Sequence, residues 1–243
     1  MRRHASWMLC IGLALAVVGC GDDETAPGGA GGTGGTGGTG GTGGEMALVT
    51  GTVSAAALEG EPTALGGATV MVVGGASTTS DVNGDFEIMA PVGTVMFLTT
   101  ASDAWGSLFA DNVPAGGLTG LDIEVVPDLL VNGIAAALET TADPAKGAVA
   151  VSFDEATVSG GETATISTGS ELSFVFDAAD DPSVGNTLIA GGGTEVIFIN
   201  ADVAATVTAT TLNAGSQPCP LEYPAASYSV QAKVFTEIEV FCP

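Results

Sequence analysis

From Glu45 onward the chain is a succession of short apolar–polar alternations broken by Gly, Pro, Asn and Asp. Period two puts successive side chains on opposite faces of an extended strand. Residues 46–54, 68–73, 76–80, 85–89, 94–100 and 121–126 are therefore predicted strands, and 148–153, 163–168, 172–176, 195–199, 205–210 and 237–241 form a second series. Many short strands at this spacing predict an all-β sandwich class. Asn83-Gly84 lies between two such runs. That pair predicts a hairpin turn, because both central residues of the favoured turn need a positive φ. Ile134 to Thr140 predicts one helix, too short to hold without tertiary support.

Charge sets the next limit. Beyond residue 20 the basic side chains are Lys146 and Lys233, against 28 acidic ones, a formal charge of −26. Such a chain repels nucleic acid and anionic lipid. Acidity alone suggests disorder, but charged residues make up 13% and hydrophobic ones 46%, so a packed core is expected past residue 45.

The first residues have the parts of an export signal: Arg2 and Arg3, then an apolar run from Trp7 to Val18, then Gly19 before Cys20. An apolar run of this length is shorter than the ~20 residues that span a bilayer. Leu15-Ala16-Val17-Val18-Gly19-Cys20 resembles the lipobox of bacterial lipoproteins. The resemblance implies that Cys20 is lipidated and becomes the mature N-terminus, tying the chain to a membrane. Gly21, Asp22 and Asp23 by the same resemblance favour the outer membrane of a Gram-negative cell. Four Gly-Gly-Thr units from Gly31 to Thr42 predict a flexible tether. About 25 such residues reach roughly 25–30 Å.

Gly51-x-Val53, Gly67 to Val72, Thr78 to Ile88 and Pro91-Val92-Gly93 form an ordered series. It resembles the carboxypeptidase regulatory-like domain, a small transthyretin-like β-sandwich, over residues 47–127. Members of that family are usually non-catalytic modules. Gly147 to Val151 echoes Gly67 to Val72, and Glu237 to Val240 echoes Asp122 to Val125. The expected organisation is thus a signal (1–19), a lipidated Cys20 with its tether (20–45), a first sandwich (46–128), a junction (129–145) and a second, tandem sandwich (146–243). One larger sandwich is the rival.

Cys219 and Cys242 are expected to form one disulfide, as two cysteines in an exported chain do. Closing that loop stabilises the fold by about 3 kcal/mol in a chain-entropy account. His4 is the only histidine and leaves with the signal, which removes Ser-His-Asp and Cys-His chemistry. Asp154-Glu155 and Asp180-Asp181 are adjacent in sequence, so on strands they point to opposite faces rather than across a cleft. Asp81 to Glu87 lacks the spacing of a helix-loop-helix calcium loop. Either lysine with an Asn and an acid would supply the parts of a side-chain crosslink. No metal or cofactor site is expected. Trp105 is the candidate ligand contact, read as an aromatic in a loop between strands. The expected function is a non-enzymatic adhesion or ligand-binding module for polysaccharide or an envelope protein. The alternative is a spacer or envelope-assembly component.

Overall fold

A computed structural model describes residues 44–57, 61–154 and 158–242. Cys20, the signal and almost all of the tether lie outside the described residues. The chain is mostly β. In the first half, β1 (Met46–Ala55), β2 (Thr63–Ala64), β3 (Thr69–Val72), β4 (Ser77–Thr79) and β5 (Asp85–Pro91) are followed by β6 (Gly93–Thr100), β7 (Ala104–Val113) and β8 (Leu118–Pro127). Helix α1 (Asp128–Ala137) follows. The second half contains β9 (Gly147–Phe153), β10 (Thr163–Ile166), β11 (Leu172–Phe176), β12 (Pro182–Val184), β13 (Glu195–Ala201), β14 (Ala209–Leu212) and β15 (Val234–Val240).

In the first half β1 lies between antiparallel β5 and parallel β8. Facing this layer is β7-β6-β3-β4. Alternate residues Val49, Val53, Phe86, Ile88, Leu121 and Ile123 of one layer meet Val70, Val72, Val95 and Phe97 of the other. Gly51 is required here, since a Cβ would stand 1.9 Å from the Leu121 carbonyl oxygen, where the β1–β8 register shifts.

The second half does not repeat this plan as a separate body. Its strands run β12-β11-β13-β9-β15, and β15 then pairs in parallel with β7 of the first half. One twisted sheet therefore passes from β12 to β4 through both halves. The echo between the ends of β8 and β15 has a structural counterpart: each runs parallel to the first strand of its half, β1 and β9. The echo of Gly67 to Val72 in Gly147 to Val151 has none. Strand β3 pairs antiparallel with β4 and β6, whereas β9 pairs with β13 and β15.

The expected junction is a structural element. Helix α1 is longer than predicted and buries Leu130, Val131, Ile134 and Ala135 against Phe174, Ile197, Ile199 and Phe235 of the sheet. Packing supplies the stability that the helix sequence lacks. The opposite face of the sheet is covered by the two-stranded β10–β14 sheet and the chain around Cys219, Tyr228 and Val230.

Strand β7 escaped prediction, although it is the element that joins everything. It is buried at every position but Asn112. A strand covered on both faces loses the period-two signal. It contributes to all four apolar clusters: Phe109 and Val113 to the first, Ala110 to the second, Trp105 to the third and Leu108 to the fourth.

Gly106 lets β6 and β15 flank β7 closely: a Cβ there would stand 2.2 Å from the Thr99 carbonyl oxygen, while its N–H donates to the Lys233 carbonyl. Gly133 in α1 faces open space. Gly106→Ala is expected to destabilise the fold by about 3 kcal/mol through overpacking, and Gly133→Ala to stabilise it by up to about 1 kcal/mol. Thermal unfolding of the two variants against the parent checks the opposite signs.

Candidate functional site

The residues singled out by the sequence fall in four separate places. Cys219 and Cys242 are joined by a disulfide and are buried in the second cluster. They tie the last residues to the loop after β14, as the pairing argument expected.

Asn83 and Gly84 do form a turn, but not a hairpin. The Gly84 N–H donates to the Asp81 carbonyl, and of the two residues only Gly84 has a positive φ, 82°. Strand β4 pairs with β3 and β5 with β1, so the turn carries the chain from one layer to the other. Asp81 Oδ1 accepts from the N–H groups of Asn83 and Asp85, which closes the turn locally. Asp177 builds the same device with the N–H groups of Ala179 and Asp181. Both acidic turns thus hold their own backbones. Among the described residues, no group of three or more such side chains is arranged to hold a metal ion.

Trp105 is not in a loop, and this reading is corrected. The turn consists of Ser102 and Asp103, and β7 begins at Ala104. The indole is 2% exposed and packs 5.6 Å from the Phe235 ring. Tyr228 is buried too, and Tyr223 donates its hydroxyl to Asp111 Oδ1. These three rings therefore do not form an open stacking platform for a sugar.

Both lysines are engaged. Lys146 pairs with Asp202, whose hydrogen bond and charge hold the amine above its ordinary range. The amine is thereby kept protonated and a poor nucleophile. Asn200 lies beside it in an open polar recess with Asp143, Ser170 and Glu171. The Asn200 side chain donates to the Thr141 carbonyl and Glu171, and accepts from the Asp143 N–H. Hydrogen bonds from Thr140 and Asn200 hold Glu171 below its ordinary range, so it is ionised and has no proton to give. This is the arrangement of a loop staple, not of a Lys–Asn crosslink, which needs an uncharged amine and an acid. Lys233 donates to Asp128 Oδ2 and to the Ser102 carbonyl, both in the first half or at its end.

Sequence reasoning missed a carboxylate cluster at the seam. The register places Glu195, Ser152 and Glu239 in one row across β13, β9 and β15. Glu237 lies two residues along β15 on the same face, and Glu124 of β8 approaches from the first half. Ser107 of β7 donates to Glu237, and Ser152 to Glu195. Oε1 of Glu124 is sealed from solvent without a hydrogen-bond partner. Burial, then the Glu237 charge, pushes Glu124 up to about 7. Burial also pushes Glu195 up to about 7, with the Ser152 hydrogen bond opposing and the charges of Glu124 and Glu239 adding. The sequence does show Glu237 and Glu239 alternating on a strand. It does not show that β8 brings a further carboxylate to them.

No protein-family model and no curated protein matches the chain. Solved structures give distant likenesses. A cohesin–X-dockerin complex from Acetivibrio cellulolyticus is 24% identical over 36% of this chain and 62% of that one, with a TM-score of 0.29. The Bacillus anthracis TIE protein is 11% identical over 81% of this chain and 34% of that one, at 0.27. The shaft pilin SpaA from Lactobacillus rhamnosus GG is 13% identical over 82% of this chain and 98% of that one, at 0.24. The chain thus spans less than two thirds of the first two.

The seam makes stability depend on pH. Glu124 and Glu195 titrate higher in the folded than in the unfolded chain, whose ordinary value is 4.5. Their favourable contribution is therefore complete below that value and is lost as pH rises through about 7. The melting temperature is expected to fall between pH 5 and pH 8, and Glu195→Gln to reduce that fall. A melting temperature that climbs over this range, or an unchanged slope in the variant, contradicts the assignment.

Proposed function

We propose that the chain is a non-catalytic lipoprotein of a Gram-negative cell envelope, held by lipid on Cys20, that presents a rigid β body to a protein partner at the end of its tether. The observation that carries this reading is the sheet running unbroken through both halves, from β12 to β4. Such a body transmits position and force from a tether at Met46 to its far edge without an internal hinge. The lysine, carboxylate and aromatic groups described above close turns, staple loops or line the seam, which supports binding rather than chemistry. Burial of Trp105 leaves the polysaccharide reading without its aromatic contact, which supports a protein ligand.

The resemblance of residues 47–127 to the regulatory-like sandwich is supported by the two facing layers around a single core. The second half is read as its distant relative, because β9 and β15 reproduce the parallel pairing of first and last strands. The same rigidity suits the alternative role, a spacer or an assembly component docked on an outer-membrane complex.

The anchor is tested in a Gram-negative host fed a clickable palmitate analogue. The parent chain is expected to take up label and to fractionate with the outer membrane. Cys20→Ser is expected to lose the label and to appear in the soluble fraction. A variant that stays with the membrane overturns the anchor.

A further inference from the structure

The solvent face and outer edge of β5 form a surface that none of the readings above uses. The N–H of Val92 donates to the Glu45 carbonyl and that of Val53 to the Gly84 carbonyl, at the two ends of the β1–β5 pair. In the register between them, Leu48 lies opposite Met89 and Thr50 opposite Glu87. Antiparallel pairs alternate between those that exchange both hydrogen bonds and those that exchange none. Phe86, Ile88 and Ala90 therefore bond to β1, and the N–H and C=O groups of Glu87 and Met89 point away from it. Among the described residues β5 pairs with β1 alone, so this side is a sheet edge. Asp85 is already closed by Asp81, and Pro91 offers only its carbonyl.

The side chains beside this edge are of two kinds. Met46, Leu48 and Met89 are 47%, 46% and 44% exposed and lie near one another across the two strands. Asp85 and Glu87 are exposed on the same face, and Asp122 of β8 lies next to Thr52. Among the described residues no basic side chain balances them, because Lys146 and Lys233 are paired with Asp202 and Asp128. A charged residue and a proline are ordinary guards of a sheet edge. Here the guard has a single sign. It repels a second copy of this acidic chain and anionic partners, but attracts a strand that carries positive charge.

We propose that the outer edge of β5 receives an extended, basic and apolar peptide segment of a partner protein as an added strand. The N–H and C=O groups of Glu87 and Met89 supply the backbone pairing. Met89 and Leu48 take apolar side chains, and Glu87 and Asp85 take Lys or Arg. The proposal deepens the binding role proposed above and is independent of the lipid on Cys20.

The test uses the full chain in detergent and a blocked decapeptide, the Lys-Val peptide, in which Thr alternates with three Val and then two Lys, so that paired antiparallel to β5 one face offers Val to Met89 and Lys to Glu87 and Asp85. Its controls are the same sequence with Glu in place of Lys, and the same sequence with every backbone amide N-methylated, which keeps the positive charge but cannot complete a ladder. Saturable binding of the Lys-Val peptide is expected, with amide exchange at Glu87 and Met89 slowed about tenfold or more. Glu87→Lys is expected to weaken binding at least about fivefold, and Cys20→Ser to leave it unchanged. Equal binding of the N-methylated peptide would reduce the effect to charge attraction and overturn the proposal. Absence of binding would overturn it as well. So would exchange at Glu87 and Met89 that is slowed by phosphatidylcholine vesicles and not by the peptide, since the apolar patch would then be a lipid contact. A failed anchor test with intact peptide binding would remove the membrane setting and leave the strand site standing.

Discussion

The parallel insertion of β15 between β9 and β7 is the contact on which the rest of the architecture depends. Residues 235–240 pair with β9, and 234–236 pair with β7. The chain enters this slot through Lys233, a non-glycine residue at φ 59°. A left-handed backbone at such a residue costs about 1–2 kcal/mol and must be held by its surroundings. The surroundings are specific. The Lys233 N–H donates to the Lys146 carbonyl, its own carbonyl accepts from Gly106, and its amine reaches Asp128 and the Ser102 carbonyl. One residue thus binds β9, β7 and the start of α1. The exposed ion pair adds little by itself; the backbone pairing it accompanies buries Phe235 against Trp105.

From this insertion follow the other features of the molecule. Joining the halves buries β7 on both faces and takes Trp105 out of reach of any ligand. It lays α1 over the sheet, which turns a would-be linker into core. It also gathers Glu124, Glu195, Glu237 and Glu239 at one seam, where burial and neighbouring charge oppose ionisation of Glu124 and Glu195. What remains open to partners is the periphery, and of the sheet edges β5 is longer than β4 and β12.

Alternation was plainest where one face of a strand is wet, as in β1 and β5, and apolar runs marked β9 and β13, which are buried on both faces. β1, β5, β6 and β11 stand where the alternation placed them, and the Cys219–Cys242 pair forms as exported cysteines suggest. Prediction failed where a strand buried on both faces is interrupted by small and polar residues, as in β7, or where long-range pairing decides. Strand β7 has no alternation to detect. The partners of Asn83-Gly84 lie in different layers, a fact that no dipeptide carries. The carboxylate seam needs β8 beside β13 and β15, strands that are distant in sequence. The apolar patch of Leu48 and Met89 was visible only as strand composition until the register placed the two side chains together.

Differential scanning calorimetry of the full chain in detergent tests most directly whether the two halves are one cooperative body. A continuous sheet with shared apolar clusters requires a single transition, with calorimetric and van't Hoff enthalpies in agreement. Two resolved transitions, one of which survives Gly106→Ala unshifted, would show that the halves fold apart and that the β15–β7 pairing does not hold them together.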